Sequence, residues 1–386
     1  MLNFNFHNPI KILFGEGKVA ELSHNIPAGA KILMVYGGGS IKKNGVYEQV
    51  KEALSDYEVL EFSGVEPNPR YETAMKAVEI VKNENIDFLL AVGGGSVVDA
   101  TKFIAAAAKY EGAEPWNIIA KSEQLSGATP LGVVLTLPAT GTEMNKNSVI
   151  TRESTQEKLA FYSPYIMPLF SVLDPTFTYS LPQRQVVNGI VDAYVHVLEQ
   201  YMTYPVDSPI QDRFAESILI TLIEEGRKAM SLETPDYNNR ANIVWSATMA
   251  LNGLIASGVK ECWGTHKIGH ELTAFHGLDH AVTLAIVLPG FMNAVRNLRT
   301  EKLVQLAERV WGIKEGSDSE KIDKLIVETE SFFRELGIKT RLGEHNIGQE
   351  TIDRIVARFK SRGFTYLPNL KDLEIEKVGE LLAERI

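Results

Sequence analysis

The chain has 386 residues, enough for two or three domains of ordinary size, and its 39 Lys+Arg against 49 Asp+Glu leave a net charge of −10. With 45% hydrophobic and 23% charged residues the composition is that of an ordinary globular protein, which excludes collagen-like and wholly disordered chains. The acidic excess, spread along the chain with no basic stripe, argues against nucleic acid and anionic membrane as partners. A single cysteine, Cys262, excludes an intrachain disulfide and a cysteine-based zinc cluster, so imidazole and carboxylate must supply any metal ligands. Met1 to His7 has neither a basic region nor an apolar core of a leader, and no apolar run approaches the ~20 residues that span a bilayer. A cytoplasmic location is the expectation.

Lys31 to Tyr36, Tyr57 to Phe62, Phe88 to Val92 and Leu131 to Leu137 are short β-branched or apolar runs that read as strands, with amphipathic helical stretches between them. That alternation predicts a mostly parallel sheet covered on both faces. Thr140 to Tyr162 reads as irregular structure or a hairpin. After Pro182 strand signals stop, and Asn188 to Met202, Arg213 to Ser231, Asn239 to Ile255 and Glu301 to Trp311 carry helical periodicity. Ser180 offers an N-cap, Pro182 a first-turn proline and Gln183 the capping-box glutamine. The border is placed there, giving an α/β domain over 1–180 and an all-helical domain over 181–386.

Two Gly-Gly-Gly-Ser turns follow strands. In Gly93 to Asp99 a buried strand runs into a helix, where glycines let a pyrophosphate reach backbone N–H groups at a favourable dipole. The last glycine of the usual Rossmann fingerprint is missing, since Val98 stands there. Ser96 and Asp99 in the first turn favour a ligand. At the earlier copy, Gly37, Gly38, Gly39 and Ser40, dinucleotide folds often place an acid for the adenine ribose 2′-OH. Here Ser40, Lys42 and Lys43 offer donors and positive charge, which suits a 2′-phosphate and thus NADP over NAD.

Four of the eight histidines, His266, His270, His276 and His280, crowd into one short stretch. Upstream, Asp192 and His196 stand four apart on one helix face and could grip one ion. By spacing alone the remaining ligands come from the 266–280 segment, with the i, i+4 pair His266 and His270 the first choice. Imidazole and carboxylate suit zinc or iron, and an open position on such a metal polarises a carbonyl. Cys262 reads as a packed thiol. Thr136, Thr140 and Thr142 read, on their own, as a polar turn after a strand.

These motifs together resemble the iron-containing (group III) alcohol dehydrogenases, and most closely their NADP-dependent butanol dehydrogenase and broad-range aldehyde reductase branch. The likeness runs through Ile10 to Gly15, Tyr36 to Ser40, Pro67 to Pro69, Gly93 to Asp99, Thr136 to Glu143, Leu173 to Pro175, Gly189 to His196 and His266 to His280. It implies a Rossmann-like dinucleotide-binding domain, an all-α C-terminal domain as in dehydroquinate synthase, and an active site in the cleft between them. The implied metal ligands are Asp192, His196, His266 and His280, with His270 a near-site residue able to relay a proton. The implied cofactor contacts are Asn68, Gly94, Gly95, Ser96, Asp99, Thr136, Thr140, Thr142, Lys158 and Tyr179, beside the Gly37 to Ser40 turn. Members with an acid near Gly38 use NAD, so its absence supports NADP.

The resemblance implies NADPH-dependent reduction of small to medium aliphatic aldehydes to primary alcohols, and the reverse, with Fe(II) or Zn(II), in a homodimer that uses the N-terminal segment as an added strand. Two alternatives are a metal-dependent lyase of dehydroquinate synthase type and a non-catalytic cofactor-binding protein on the same scaffold. The lyase needs basic residues for a phosphate-bearing substrate, and Trp263 to His280 supplies only Lys267.

Overall fold

The structure is a computed structural model that describes residues 1–367, 370–371 and 373–386. Its strands are β1 (Lys11–Phe14), β2 (Ile32–Tyr36), β3 (Val59–Phe62), β4 (Phe88–Gly94), β5 (Leu131–Leu137), β6 (Asn147–Arg152), β7 (Glu157–Tyr162) and β8 (Phe170–Leu173). The helices of the first half are α1 (Val46–Ala53), α2 (Tyr71–Asn83), α3 (Gly95–Ala108) and the single turn α4 (Asn117–Ala120). Then come α5 (Gln183–Tyr201), α6 (Pro209–Ser231), α7 (Tyr237–Ala250), α8 (Gly264–His276), α9 (His280–Ala294) and α10 (Thr300–Arg309). The chain ends with α11 (Asp318–Glu335), α12 (Gln349–Ser361) and α13 (Ile375–Ala383). Among the described residues no helix is long and apolar enough to cross a membrane.

The chain forms two compact units: His7–Pro182 with Thr234–Asn252, and Met1–Phe6 with Gln183–Glu233 and Gly253–Ile386. In the first, six parallel strands run in the order β1-β8-β5-β4-β2-β3. Alternate residues feed opposite faces. Leu33, Val35, Leu89, Ala91 and Val133 pack with Val78 of α2 and Phe103 of α3. Ile32, Met34, Phe88, Leu90 and Val134 pack with Val19, Leu22 and Val50 on the other side. Burial on both faces is why these strands read as unbroken apolar runs rather than alternating ones. The stretch Thr140 to Tyr162 contains a separate antiparallel hairpin of β6 and β7.

The chain leaves β2 toward β3 on one side and β4 toward β5 on the other, so the strand order reverses between β2 and β4. A crevice forms outside the strand ends at such a reversal. Both Gly-Gly-Gly-Ser turns, after Tyr36 and in Gly93–Ser96, lie there.

The second unit is helical. α8 and α9 are joined by Gly277, whose φ of 66° ends α8 in a left-handed cap. Gly269 permits their close approach, because a Cβ there would stand 2.9 Å from Thr283 Oγ1.

Four sequence expectations need correction. β1 and β8, only four residues each, gave no recognised signal and form one edge of the sheet. α5 starts at Gln183, so Ser180 does not cap it; Ser180 Oγ instead accepts from Asn44 Nδ2 at 3.0 Å. The helix expected over Asn239 to Ile255 stops at Ala250, followed by Gly253 at φ 89°. A division at residue 180 also misassigns two segments, since Met1–Phe6 belongs with the helical unit and Thr234–Asn252 with the sheet unit. The physical reason for the second is that α7 completes the sheet unit's core: Val244 joins the buried cluster, Trp245 packs edge-on against Phe14, and Thr248 Oγ1 donates to Glu143 Oε1 at 2.6 Å.

Candidate metal and cofactor sites

α5 presents Asp192, His196 and Glu199 from one face, at i, i+4 and i+7. Nε2 of His196 stands 3.6 Å from Asp192 Oδ1, and Nε2 of His266 and of His280 each stand 3.8 Å from the same oxygen. These separations exceed hydrogen-bond reach. They approach the spacing of donors around one ion, since ligands at ~2.1 Å in a tetrahedron stand about 3.4 Å apart. Asp192, His196 and His266 form the tight group, with ligand atoms within 4.8 Å of one another. Nε2 of His266 is buried and has no hydrogen-bond partner. A buried donor left open beside a carboxylate and further imidazoles fits a divalent zinc or iron ion.

The supporting shell is polar and specific. Nδ1 of His266 faces Glu199, which is fully buried and also accepts the Thr265 N–H at 2.6 Å, capping α8 from another helix. A carboxylate behind a ligating histidine fixes the ring and leaves Nε2 for the metal. Burial lowers His196 to about 4, so it is neutral at physiological pH. Burial also pulls on His266, but the charges of Glu199 and Asp192 outweigh it and hold that ring up at about 9. Trp263 packs edge-on against His266 with ring centroids 5.3 Å apart. The site opens on the side of His280, whose side chain is 20% exposed against 6% for Asp192. Asp279, just before it, accepts from Arg184 and Asn188 of α5, each at 2.7 Å, and so fixes the turn that presents His280.

The i, i+4 choice of His266 with His270 is not what the structure brings together at Asp192. His270 lies one turn along α8, its ring 6.2 Å from that of His266 and 5.1 Å from that of His280. His276 is tied away by a 2.9 Å hydrogen bond between its Nε2 and Thr351 Oγ1. Cys262 is a buried thiol beside Arg299, with Nη2 3.2 Å from Sγ. Glu199 was missed, although its i+7 spacing from Asp192 on one apolar helix was a readable signal.

In the sheet unit, β4 ends at Gly94 and α3 begins at Gly95, which aims the N–H groups of Gly95 and Ser96 out of the helix start. Larger residues would not fit: a Cβ on Gly94 would come 2.9 Å from Leu137 Cβ, and one on Gly95 2.5 Å from Thr140 Oγ1. Thr136 is buried near the end of β5, and Thr140 lies against Gly95. Asn68, in the left-handed region at φ 56°, accepts at Oδ1 from Lys158 Nζ at 2.8 Å. Asp99 and Thr142 face each other, with Thr142 Oγ1 donating to Asp99 Oδ1 at 2.6 Å and Val149 N donating to Oδ2 at 3.1 Å. Tyr179 stands apart, partly exposed after a 3-10 turn over Pro175–Thr178.

At the first turn Gly37 and Gly39 are partly buried, Gly38 and Ser40 exposed, and Gly39 adopts φ 91°. Lys42 is not a free cation: its Nζ lies 3.4 Å from Glu61 Oε2 and over the rings of Tyr36 and Tyr47. Glu61, from β3, is thus an acid near this turn that the sequence did not place there. Its oxygens are taken by Tyr47 Oη at 2.5 Å and Tyr36 Oη at 2.8 Å. Ser40 and Lys43 remain exposed.

Comparison with known proteins places this geometry. The chain is 54% identical over 378 residues to the NADPH-dependent aldehyde reductase YqhD of Escherichia coli, covering 97% of each chain. It is 43% identical to the probable NADH-dependent butanol dehydrogenase 1 of Bacillus subtilis, covering 94% of this chain and 95% of that one. The crystal structure of E. coli YqhD superposes with a TM-score of 0.98 at 52% identity, covering 100% of this chain and 99% of the other. NADH-dependent butanol dehydrogenase A of Thermotoga maritima gives a TM-score of 0.94 at 38% identity, with the same coverage. Profiles for iron-containing alcohol dehydrogenase and for the C-terminal region of that family match residues 9–175 and 186–386. The chain belongs to the iron-containing alcohol dehydrogenase family.

Proposed function

We propose that this protein reduces small to medium aliphatic aldehydes to primary alcohols with NADPH, and runs the reverse oxidation, using one divalent metal, Fe(II) or Zn(II). The observation that carries the reading is the buried Asp192, His196 and His266 cluster with Glu199 behind it, in a chain 54% identical to an NADPH-dependent aldehyde reductase. When bound, the metal supplies a Lewis acid for the carbonyl and the nicotinamide supplies hydride.

The chain's own residues do the rest. Asp192, His196, His266 and His280 hold the metal, and Glu199 fixes the His266 ring. Gly94, Gly95 and Ser96 receive the pyrophosphate at the helix start, and Asn68, Lys158, Thr136, Thr140 and Tyr179 contact the remainder of the dinucleotide. Asp99 and Thr142 act through each other in shaping that surface. Gly37, Gly38, Gly39 and Ser40 take the adenosine ribose. Ser40 and Lys43 serve the 2′-phosphate, which favours NADPH, while Glu61 is held in place by the Tyr36 and Tyr47 hydroxyls. His270, beside His280, relays the proton that the product alkoxide needs. The protein works as a cytoplasmic homodimer, a reading supported by the alternating, half-exposed Leu2, Phe4 and Phe6; a monomeric mass by light scattering would contradict it.

The test is cofactor oxidation with butanal, NADPH against NADH, on protein before and after chelation and after adding back iron(II) or zinc(II). Metal-dependent turnover favouring NADPH is the expected result. NADPH binding without reduction of any aldehyde, whatever the metal, would remove the reductase reading.

A further inference from the structure

Lys102 lies on α3 one turn beyond Asp99 and is completely buried. Its Nζ is surrounded by oxygens: Thr142 O at 2.6 Å, Asn147 O at 2.8 Å, Thr142 Oγ1 and Asn145 O at 2.9 Å, and Asn145 Oδ1 at 3.2 Å. A lysine ammonium has three N–H groups and accepts nothing. The cage matches that form, because every neighbour accepts. The Thr142 hydroxyl commits its own proton to Asp99 Oδ1, leaving a lone pair for Lys102. Carbonyl oxygens gathered round a single positive charge are also how proteins replace the water shell of a potassium ion. Lys102 is in effect a cation tethered to α3.

All these oxygens come from residues 142, 145 and 147, in the connection after β5 and at the first residue of β6. That connection has little order of its own: one 3-10 turn, Thr142–Met144, entered through Gly141 at φ 59°. The backbone carbonyls of Thr142, Asn145 and Asn147 converge on Lys102. Without the cation these would be buried acceptors facing one another, an expensive arrangement. Two more contacts tie this connection and the start of β6 to the first turns of α3. Thr140 lies so close to Gly95 that a Cβ there would clash, and Val149 N donates to Asp99 Oδ2. A shift of the turn would therefore be felt where α3 begins.

Stability alone does not explain such a cage. A lysine buried with Asp99 and Glu143 is commonly matched or bettered in stability by apolar residues of the same volume. What apolar residues cannot do is draw three carbonyls to one point. We infer that Lys102 is a positioning residue for the dinucleotide: its ammonium holds the Thr140–Asn147 turn against the first turns of α3, and so sets the Thr140 hydroxyl and the N–H groups of Gly95 and Ser96 in place for NADPH. The inference rests on the NADPH reading above and assigns a role to a residue that contacts neither metal nor, by its burial, cofactor.

Lys102→Ala empties the cage. NADPH affinity of the metal-loaded protein, read by fluorescence titration, is expected to fall about tenfold or more. Zinc affinity and the KM for butanal should stay near the parent values. Potassium or ammonium chloride should restore NADPH affinity where choline chloride at equal ionic strength does not. A folded Lys102→Ala protein that binds NADPH as tightly as the parent overturns the inference, as does a loss shared equally by zinc binding that neither salt restores. If Lys102→Ala does not fold, Lys102→Met decides: it keeps the length of the stem and removes the ammonium, and NADPH affinity should fall as expected for alanine while zinc affinity stays near the parent value. A Lys102→Met protein that binds NADPH as tightly as the parent would overturn it. A parent protein that binds no NADPH removes the proposed function as well, whereas a binding parent with an unaffected variant removes only the role of Lys102.

Discussion

His266 turns its two ring nitrogens toward two different buried carboxylates, Nδ1 to Glu199 and Nε2 to Asp192. Only the second lies in the group of side-chain atoms close enough together to hold one metal ion; the first orients the ring and caps the start of α8. Glu199→Gln keeps the size and removes the charge. Zinc affinity, measured by chelator competition, is expected to fall roughly 10- to 100-fold with the helical signal intact. Parental affinity in this variant would mean that Glu199 is a helix cap and nothing more.

Gly38 can be tested sterically before it is tested chemically. A Cβ there would meet nothing within 4 Å, and its φ is not in the left-handed region, unlike that of Gly39. Gly38→Asp should therefore fold normally and raise the KM for NADPH about tenfold or more, through repulsion of the 2′-phosphate, with NADH use improved. An unchanged NADPH to NADH ratio would place the 2′-phosphate elsewhere.

His270 separates proton transfer from metal binding. His270→Ala should keep zinc affinity and lose about 10²-fold in kcat, with an altered pH profile. His266→Ala should lose the metal itself. Full turnover across the pH range in His270→Ala would end the relay role.

The buried carboxyl on α3 should leave its mark on stability. Burial raises Asp99 to about 6, against the opposing charge of Lys102. Folded Asp99 holds its proton above the unfolded value of ~3.9, so its favourable contribution is present at low pH and lost as pH rises through about 6. Parent stability minus that of Asp99→Asn, from urea denaturation, should therefore fall as pH rises from about 4 to about 6 and level off above that. A difference that is flat in pH would mean that Asp99 does not titrate as its burial demands.

Sheet and helices were legible because their signals are local. Continuous apolar runs such as Phe88 to Val92 mark strands covered on both faces, and Gly93 to Ser96 marks the turn into α3. β1 and β8 escaped because four residues carry too little pattern, and they are fixed by long-range pairing such as Lys11 with Phe170. The metal cluster was half legible. Asp192 and His196 share a helix, but His266 comes from α8, and His280 reaches Asp192 only after Gly277 has folded α9 back along α8, which no i, i+4 rule encodes. Lys42 looked like a free cation because Glu61 is 19 residues away in sequence and 3.4 Å away in space.

The chain passes from one unit to the other at residues 6/7, 182/183, 233/234 and 252/253. A ribosome that has released residue 182 has therefore not yet supplied the sheet unit with α7, and Glu143 still lacks the Thr248 hydroxyl that will satisfy it. The sheet unit of this protein is finished only after all of α5 and α6 has been made, so the two units mature together rather than in sequence order. A fragment cut at the apparent border near residue 180 would be an unfinished domain, and its failure to fold would say nothing about the residues it contains.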